Sequence, residues 1–364
     1  MPGSPHNERF MREAIRLARK ARGRTRPNPQ VGAVVVRRGE IVGRGYHRKA
    51  GLPHAEVEAI RDAGGLAKGS DLYVTLEPCV HHGRTPPCVD AIIAAGIRKV
   101  YVGTLDPNPV VNGRGVRKLR RAGVEVETGL LADECRALNE GYNVWIAHGR
   151  PHIALKVAAS IDGSIADFKG NSRWITSEES RRLVHRMRAM SDAVLVGIGT
   201  VLKDDPLLTA RGVSTPKGQP LRVVLDSRLR TPARARVLNG DARTLLVCSS
   251  KSAAARMRGR YGDGVEILQI GSGAKPVDIE ALLSELARRE IQSLLVEGGS
   301  GVFSSFISQG LWDRIYLFCA PIVLGRGVSW TEHLRLELGE AVRVNIAKIK
   351  RIGRDHLVVL ERGD

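Results

Sequence analysis

The first half of the chain alternates between helical and extended patterns of apolar residues. Apolar side chains recur at helical spacing from Phe10 to Ala21, and Asn7 is the predicted N-cap of this helix. The strings VGAVVV and IVGRGYH flank the turn RRGE and predict a hairpin. Further helices are predicted for AEVEAIRDAG, CVDAIIAAG, GVRKLRRAG and residues 130–147, and further strands for DLYVTL, KVYVGTL and VEVETG. This order predicts a three-layer α/β domain that ends near residue 148.

A second pattern of the same kind begins after Gly149 and Pro151, which interrupt the preceding helix. It predicts the helices SEESRRLVHRMRAM, DIEALLSELARRE and SGVFSSFISQG, and the strands HIALKVAAS, AVLVGI, LRVVLD, TLLVCS, EILQI, SLLVEG, RIYLFCAPIVLG and HLVVLER. At 364 residues the chain is too long for one typical hydrophobic core. We therefore expect two α/β domains, residues 1–148 and residues 149–364.

The segment from Pro53 to Cys88 concentrates residues that bind metals. His54, Cys79 and Cys88 offer one imidazole and two thiols, a suitable ligand set for tetrahedral zinc. Three protein ligands leave one coordination position for water, as in catalytic zinc sites, and zinc can lower the pKa of that water to roughly 7. Glu56 is then available to carry protons. The order His-x-Glu…Pro-Cys…Cys is the known signature of the zinc nucleobase deaminases.

The spacing of the two cysteines departs from that signature. The usual second half is Pro-Cys-x-x-Cys, whereas the eight residues VHHGRTPP separate Cys79 from Cys88. The longer insert is compatible with zinc binding if Cys88 begins a helix, which the two prolines before it favour. A helix N-terminus also stabilises a thiolate. His81 and His82 could supply a fourth ligand and make the site a structural zinc clip, an alternative that the residues alone leave open.

The composition is that of a globular protein with a strong excess of positive charge. The chain has 57 Lys and Arg residues against 38 Asp and Glu, a net charge of +19. Such an excess suits nucleic acids or anionic small molecules. The basic residues are spread over the predicted helices, and aromatic residues make up only 4% of the chain, unlike the stacking surfaces of single-strand binders. We therefore expect phosphorylated small molecules as ligands and no nucleic acid.

Other features of the sequence predict a cytoplasmic protein without a membrane partner. No apolar run reaches the length of a membrane span, and charges occupy the positions where a signal peptide would be apolar. The cysteines are odd in number and scattered, which argues against a disulfide framework. Contacts between α/β domains make a homodimer or homotetramer the expected assembly.

Five strings in the first half resemble the bifunctional riboflavin-biosynthesis deaminase–reductase family: PNPQVG, GRGYH, AGLPHAEVEAI, VTLEPCVHHGRTPPC and DPNP. The first 148 residues are similar to the cytidine-deaminase-like fold, and the family's GRTPPC accounts for the long cysteine spacing. The resemblance implies that Glu56 passes a proton to a pyrimidine ring nitrogen and returns one to the departing ammonia. It also implies that Asn28 contacts the substrate and that Arg84 is a candidate phosphate contact, with a solvent-facing role for Arg84 left open.

The second half lacks the G-x-G-x-x-G fingerprint of dinucleotide-binding domains. Its GGSGVF string precedes a predicted helix, whose backbone amides can hold phosphates, although a tight strand-to-helix turn explains the glycines equally well. The strings LKVAASIDG, SRWITS, VGIGTVLKDDPLLTAR and LVEGG resemble the reductase half of the same family, which is similar to dihydrofolate reductase in fold and uses NADPH.

This second resemblance implies a set of cofactor and substrate contacts. The NADP site would be lined by Ala158, Trp174, Thr200, Asp204, Ser227, Gly299, Ser300, Gly301, Val302, Phe303, Ser304 and Ser305. The substrate would be faced by Ser172, Leu208, Arg211 and Glu297. Lys156 and Asp204 are the candidates for assisting hydride transfer, Lys156 by polarising a carbonyl or holding a phosphate.

The expected function is therefore two consecutive steps of riboflavin synthesis with Zn²⁺ and NADPH as cofactors. The N-terminal half would deaminate a diaminopyrimidinone ribosylamine 5′-phosphate, and the C-terminal half would reduce the ribosyl group of the product to a ribityl chain. The alternative is a nucleic-acid deaminase, such as one acting on tRNA adenosine, with an accessory C-terminal domain. Steeply salt-dependent RNA binding would favour that alternative.

Overall fold

The computed structural model describes residues 5–81, 86–251, 255, 259–271, 273 and 276–363. The chain divides into two compact units, Met1–Gly149 and Arg150–Asp364, each with its own sheet and hydrophobic core. The predicted boundary lay one residue before this division. None of the described helices combines the length and the apolar character needed to cross a membrane.

The first unit has a five-stranded sheet in the order β2-β1-β3-β4-β5. Strands β2, β1 and β3 are antiparallel neighbours, and β3, β4 and β5 are parallel. The strands are β1 (Gly32–Arg37), β2 (Glu40–Tyr46), β3 (Asp71–Leu76), β4 (Lys99–Thr104) and β5 (Glu125–Thr128). The helices are α1 (Pro5–Arg19), α2 (Ala55–Ala63), α3 (Cys88–Ala94), α4 (Arg114–Arg121), α5 (Ala132–Leu138) and α6 (Glu140–His148), with a short 3₁₀ helix at Gly64–Ala67.

Both faces of this sheet are covered because its central strands are apolar at successive positions. On β1, Val34 and Val36 pack in the cluster that contains α1, whereas Ala33 and Val35 pack in the cluster that contains α2 and α3. Successive side chains of a strand point to opposite faces, so a run of valines buries both. The unit is therefore the three-layer α/β domain that the sequence predicts.

Two local predictions in this unit were wrong. Helix α1 begins at Pro5, so Asn7 lies inside it, and its side-chain oxygen accepts a hydrogen bond from the Tyr73 hydroxyl at 2.8 Å. The single helix predicted over residues 130–147 is broken at Asn139 into α5 and α6. The Asn139 side chain accepts a hydrogen bond from the Gln30 backbone amide and donates one to the Gln30 carbonyl. These bonds to another segment compete with a continuous helix at Asn139.

Helix α2 lies directly on β2 because two glycines allow the backbones to approach. A Cβ atom on Gly43 would lie 2.2 Å from the Ala59 carbonyl oxygen, and one on Gly45 would lie 2.2 Å from the Ala55 carbonyl oxygen. These contacts leave no room for a side chain at either position. The string GRGYH thus positions the first turn of α2, where the metal-binding motif begins.

The second unit has a nine-stranded sheet in the order β11-β10-β9-β8-β12-β6-β13-β16-β15 and a two-stranded sheet of β14 and β7. Its strands are β6 (His152–Ser160), β7 (Ser164–Ala166), β8 (Ala193–Gly197), β9 (Leu221–Leu225), β10 (Thr244–Cys248), β11 (Val265–Gln269), β12 (Ser293–Val296), β13 (Arg314–Ala320), β14 (Val328–Ser329), β15 (Val344–Ile352) and β16 (Asp355–Arg362). The helices whose bounds lie within the described residues are α7 (Glu178–Met190), α8 (Ile198–Asp204), α9 (Ile279–Arg288) and α10 (Ser300–Ser308), with short 3₁₀ helices at Arg236–Leu238 and Leu338–Glu340.

The strands from β11 to β13 are parallel, and β16 and β15 complete the sheet in antiparallel orientation. Parallel strands with helices on both faces place loops from several strands at one edge, where ligands bind in such folds. Neither α8 nor β15 was predicted from the sequence. Strand β15 has no buried side chain, and only Ile352 at its end is half-buried, so it lacks the alternation of a strand with one face in the core.

Candidate active sites

The first candidate site lies where two helices begin. His54 is the N-cap of α2, Cys88 is the first residue of α3, and Cys79 lies in the loop after β3. The imidazole Nδ1 of His54 lies 3.0 Å from the Cys88 Sγ and 3.6 Å from the Cys79 Sγ, and the three ligand atoms all lie within 4.8 Å of one another. Among the described residues, this is the group that could hold a metal ion.

The electrostatics of this cluster suit a cation. Hydrogen bonds from Cys88 and from His54 lower the pKa of Cys79 to about 4, whereas the same contact and burial raise the pKa of Cys88. The backbone amide of Cys88 also donates to the Cys79 Sγ at 3.3 Å. One thiolate is thus held beside a thiol and an imidazole, and this set of one nitrogen and two sulfur donors fits zinc.

Glu56 is a buried carboxyl group beside the cluster. It is 3% exposed, and its Oε2 atom has no hydrogen-bond partner among the described residues. Burial raises its pKa to about 7, although the neighbouring His54 opposes that shift. The carboxyl can therefore take up and release a proton near neutral pH.

The loop that contains Asn28 contacts His47, and His47 in turn packs against His54 of the metal cluster. The Asn28 Nδ2 lies 3.1 Å from the Nε2 of His47, whose Nδ1 lies 3.3 Å from the Pro53 carbonyl oxygen. The His47 ring packs edge-on against the His54 ring at 5.0 Å. The structure thus brings Asn28 to the metal cluster. No role was predicted for His47, although it ends the string GRGYH, because no local spacing connects it to the metal motif.

Other residues near the insert are placed differently. His81 is exposed and does not belong to the metal cluster, and His82 and Arg84 lie outside the described residues. Glu77 is buried and accepts hydrogen bonds from the amides of Asp106, Gly113 and Val116. This carboxylate holds the DPNP loop and the first turn of α4 against the segment that leads to the Cys79 loop.

The second candidate site is a cavity of about 640 Å³ in the second unit. Glu297, at the end of β12, lies in its wall with a side chain that is only 4% exposed. Its carboxylate contacts the Lys156 Nζ at 3.0 Å and accepts two bonds from Arg188, at 2.5 and 2.9 Å. Burial by itself would raise the pKa of Glu297, but the charges of Arg188 and Lys156 lower it well below its usual range.

Several arginine side chains line the same cavity as this carboxylate. One face of α7 presents Arg181, His185 and Arg188 to the cavity, and Arg211 and Arg236 line it from other segments. Such a wall suits an anionic ligand. Arg188 and His185 were not predicted from the sequence, although the spacing of positions 181, 185 and 188 on one helix face was a signal that could have found them.

A neighbouring cavity of about 510 Å³ carries most of the expected NADP contacts. The two cavities share Ser172, Thr200, Asp204 and Gly299 in their walls. The 510 Å³ cavity is also lined by Ser227, Ser300, Gly301, Val302 and Ser305. The 640 Å³ cavity is lined by Ala158, Trp174, Phe303, Leu208 and Arg211. Two cavities of this size with shared wall residues, and with helix α10 beginning at one wall, fit a dinucleotide and a second ligand side by side.

Asp204 and Ser304 were both expected at the NADP site, and of the two only Asp204 lies in the cavity walls. Asp204 accepts a hydrogen bond from the Ser172 hydroxyl at 3.2 Å, and its backbone carbonyl accepts one from Arg173. Ser304 is buried in α10 and lines neither of these two cavities. The structure therefore brings the predicted reductase residues together with the exception of Ser304.

Comparison with known proteins defines the class first. Residues 4–104 match the family model of the cytidine and deoxycytidylate deaminase zinc-binding region, and residues 151–358 match that of the RibD C-terminal domain. The chain is thus a two-domain enzyme with a zinc-binding deaminase region and a reductase domain. The match to the second domain leaves no support for the accessory domain of the tRNA deaminase alternative.

Full-length relatives then give the family. The chain is 46% identical to the riboflavin biosynthesis protein RibD of Aquifex aeolicus over 98% of each chain, and 40% identical to that of Escherichia coli over 97% of this chain and 99% of the relative. A solved structure from Thermotoga maritima is 40% identical, with a TM-score of 0.88 over 98% of this chain and 99% of that one. The chain belongs to the RibD family of riboflavin biosynthesis proteins. Zinc and NADPH are accordingly its cofactors.

Proposed function

We propose that the chain catalyses the two reactions for which the Thermotoga maritima protein is named, as a diaminohydroxyphosphoribosylaminopyrimidine deaminase and a 5-amino-6-(5-phosphoribosylamino)uracil reductase. The first unit removes an amino group from the pyrimidine by hydrolysis. The second unit reduces the ribosyl chain of the deaminated product. The observation that carries the proposal is that one chain holds two sites. One is a His/Cys/Cys cluster with a buried carboxyl beside it, and the other is a cation-lined cavity that shares wall residues with a second cavity.

In the deaminase unit, His54, Cys79 and Cys88 hold the metal and Glu56 moves protons. Zinc, when bound by this set, supplies Lewis acidity to the hydrolysis. The Glu56 carboxyl, whose Oε2 has no partner among the described residues, takes a proton from the water that attacks the ring carbon and delivers it to a ring nitrogen. It then carries the second proton of that water to the amino group, which leaves as ammonia as the new carbon–oxygen bond becomes a carbonyl. Asn28, oriented by His47, binds the substrate, and Arg84 is proposed as a phosphate contact.

In the reductase unit, Glu297 fixes two cations at the cavity wall. Its carboxylate holds the Lys156 ammonium where it can polarise a carbonyl of the substrate, and Arg188 and Arg211 attract the phosphate. NADPH, when bound in the neighbouring cavity, supplies the hydride. Asp204 orients Ser172 between the two ligands, and Leu208 packs beside the substrate.

A coupled assay with the diaminopyrimidinone phosphate tests this function. Ammonia release and NADPH oxidation are followed separately on purified, zinc-replete protein, before and after treatment with a chelator. We expect both signals before treatment. Afterwards we expect loss of ammonia release, while reduction of predeaminated substrate continues. Deamination of tRNA adenosine in place of this compound would show that the zinc chemistry is right and the substrate is wrong.

We also propose a homo-oligomer in the cytoplasm without a nucleic-acid partner. None of the five cysteines forms a disulfide, which supports a reducing compartment. Strand β15 is an edge strand on which Val344, Ile346 and Ile349 are 39%, 61% and 60% exposed. Aliphatic residues on a long edge strand favour pairing with another chain.

A second copy is the occupant that the charges of this surface favour. Lys348 and Lys350 lie on β15, and Glu337 and Glu340 lie on the exposed segment before it, so a two-fold pairing can place acids against bases. We expect light scattering to give a multiple of the 39.6 kDa chain mass and I346E to lower it. The control is V323E, at an aliphatic residue that is 75% exposed elsewhere. A wild-type chain of monomer mass contradicts the proposal.

A further inference from the structure

His185 lies in the wall of the reductase cavity and has no role in the function proposed above. It is on α7, on the face that also carries Arg181 and Arg188. Its Nδ1 atom lies 3.2 Å from the Thr209 carbonyl oxygen and 3.2 Å from the Arg211 backbone nitrogen. A ring nitrogen is either a donor or an acceptor, so it can make only one of these two bonds.

The neighbouring hydrogen bonds decide which of the two bonds is made. The Thr209 carbonyl already accepts a hydrogen bond from the Arg188 guanidinium at 3.2 Å. The Arg211 amide, by contrast, faces Nδ1 and needs an acceptor there. A proton on Nδ1 would set two donors against each other, so Nδ1 is the acceptor and the proton of the neutral ring sits on Nε2.

The ring is also kept neutral by its surroundings. Burial, followed by the charges of Arg188 and Arg211, lowers the pKa of His185. Across the described residues, no hydrogen bond is made by its Nε2 atom. A neutral ring with Nδ1 engaged therefore offers one N–H group in a wall that also carries Arg181, Arg188, Arg211 and Arg236.

We propose that His185 is a substrate-binding residue of the reductase, whose Nε2–H group donates a hydrogen bond to a phosphate oxygen of the substrate. The guanidinium groups around it attract an anion, and the neutral N–H group adds a directional donor to them. The Nδ1 atom holds the Arg211 backbone at the same time. This inference rests on the proposed reductase function and assigns a further contact within it.

Two substitutions separate the two ring nitrogens. In His185→Asn the amide oxygen lies near the position of Nδ1, so it can accept from Arg211 but leaves no donor at the Nε2 position. In His185→Gln the amide nitrogen reaches the Nε2 position and preserves the donor. His356→Asn, at an exposed histidine of β16, is the control.

The test measures reductase kinetics on predeaminated substrate and competitive inhibition by inorganic phosphate. We expect His185→Asn to raise the substrate KM and the phosphate inhibition constant about tenfold or more, because hydrogen bonds to charged groups contribute strongly to binding. His185→Gln should stay within about threefold of wild type, and the NADPH KM should not move in either variant.

Other results overturn the inference. If His185→Asn keeps the wild-type KM, or binds substrate better than His185→Gln, then His185 acts only by holding the Arg211 backbone. If the substrate KM rises while phosphate inhibition is unchanged, the hydrogen-bond acceptor is not the phosphate. A rise in the NADPH KM in step with the substrate KM reveals a general distortion of the unit. Failure of the reductase function itself would appear as an inactive wild type.

Discussion

The two sites contain buried glutamates in opposite electrostatic settings. Glu56 is buried with one carboxylate oxygen unsatisfied among the described residues, and burial raises its pKa to about 7. Glu297 is almost as buried, but Lys156 and Arg188 contact it and hold its pKa well below the usual range. The same side chain is thus prepared in one unit to exchange a proton and in the other to stay an anion.

This difference shows how the environment selects the role of a carboxyl group. A carboxyl that lacks a cationic partner is costly when charged, so it favours protonation and can serve as a proton carrier. A carboxylate between two cations is fixed in charge and position, and it serves to hold those cations at the cavity wall. Substituting Glu56 and Glu297 one at a time tests this contrast.

The largest effect is expected for Glu56→Gln. The substitution keeps the shape of the side chain but removes its exchangeable proton, so ammonia release should fall about 10³-fold. Reduction of predeaminated substrate should stay at the wild-type rate. The matched control is Glu58→Gln in the same helix, because Glu58 pairs with Arg61 on the surface. Ammonia release by Glu56→Gln above a tenth of wild type would remove Glu56 from the proton pathway.

The next effect is expected for Glu297→Gln, which leaves the Lys156 and Arg188 cations together without their counter-ion. Removing one partner of a buried ion pair typically lowers the free energy of unfolding by about 3 kcal/mol or more. NADPH oxidation should also fall about 100-fold, since both cations lose their fixed positions. Ammonia release reports whether the first unit is still intact.

A surface pair provides the stability control for this variant. Glu266 contacts Arg289, but its side chain is 43% exposed, so Glu266→Gln should lower the free energy of unfolding by less than about 1 kcal/mol. Urea unfolding of the two variants measures the difference. Equal losses of unfolding free energy in Glu297→Gln and Glu266→Gln would mean that the Glu297 carboxylate does not stabilise the cavity wall.

The pH dependence of stability should separate the two glutamates in chelator-treated protein. The folded pKa of Glu56 is raised, so its contribution is fully present below pH 4.5 and is lost as the pH rises toward 7. The folded pKa of Glu297 is lowered, so its contribution is present above pH 4.5 and is lost as the pH falls. We expect the free energy of unfolding of Glu56→Gln to change less than that of wild type between pH 4.5 and 7, the neutral limb of the curve. For Glu297→Gln we expect a smaller change than in wild type below pH 4.5, the acid limb.

The expected size of these effects is up to about 3 kcal/mol for Glu56, since one pKa unit corresponds to about 1.4 kcal/mol. Urea midpoints of wild type and both variants, measured from acid to neutral pH, check the two limbs separately. A Glu56→Gln protein whose stability still falls from pH 4.5 to 7 as in wild type would assign that limb to another group.

The metal cluster could be predicted from sequence because its members are close in the chain and each has a local signal. Proline precedes His54 and Cys88, both residues stand at helix starts, and the structure shows α2 and α3 beginning there. The types of these residues and their order in the chain were thus sufficient to predict the metal cluster. The insert between the cysteines was ambiguous because His81 and His82 could each have served as a ligand.

The reductase cavity was harder to predict because its contacts join distant segments. Arg188 and Glu297 are 109 positions apart, and only the packing of α7 against the end of β12 brings them together. No spacing rule connects them, so Glu297 and Lys156 were predicted by resemblance and Arg188 was missed. Strand β15 escaped prediction for a different reason, since neither of its faces is buried.

The smallest effect is expected for Ser172→Ala, which tests a neutral contact in the region that the two reductase cavities share. The Ser172 hydroxyl donates to the Asp204 carboxylate at 3.2 Å, and Ser172 lines both cavities. Loss of one such hydrogen bond typically costs about 1 kcal/mol, so the substrate and NADPH KM values should each rise about three- to tenfold. Ammonia release should not change, because the deaminase site lies in the other unit.

The neighbouring Asn171→Ala is the matched control for this variant. Its side chain bonds Asp167 within the same loop and lines neither cavity. If Ser172→Ala raises only one of the two KM values, Ser172 contacts a single ligand and does not bridge the cavities. If Asn171→Ala has the same effect as Ser172→Ala, the loop conformation and not the hydroxyl group controls binding. The contrast with Glu297→Gln then measures how much of the site depends on fixed charge and how much on neutral hydrogen bonds.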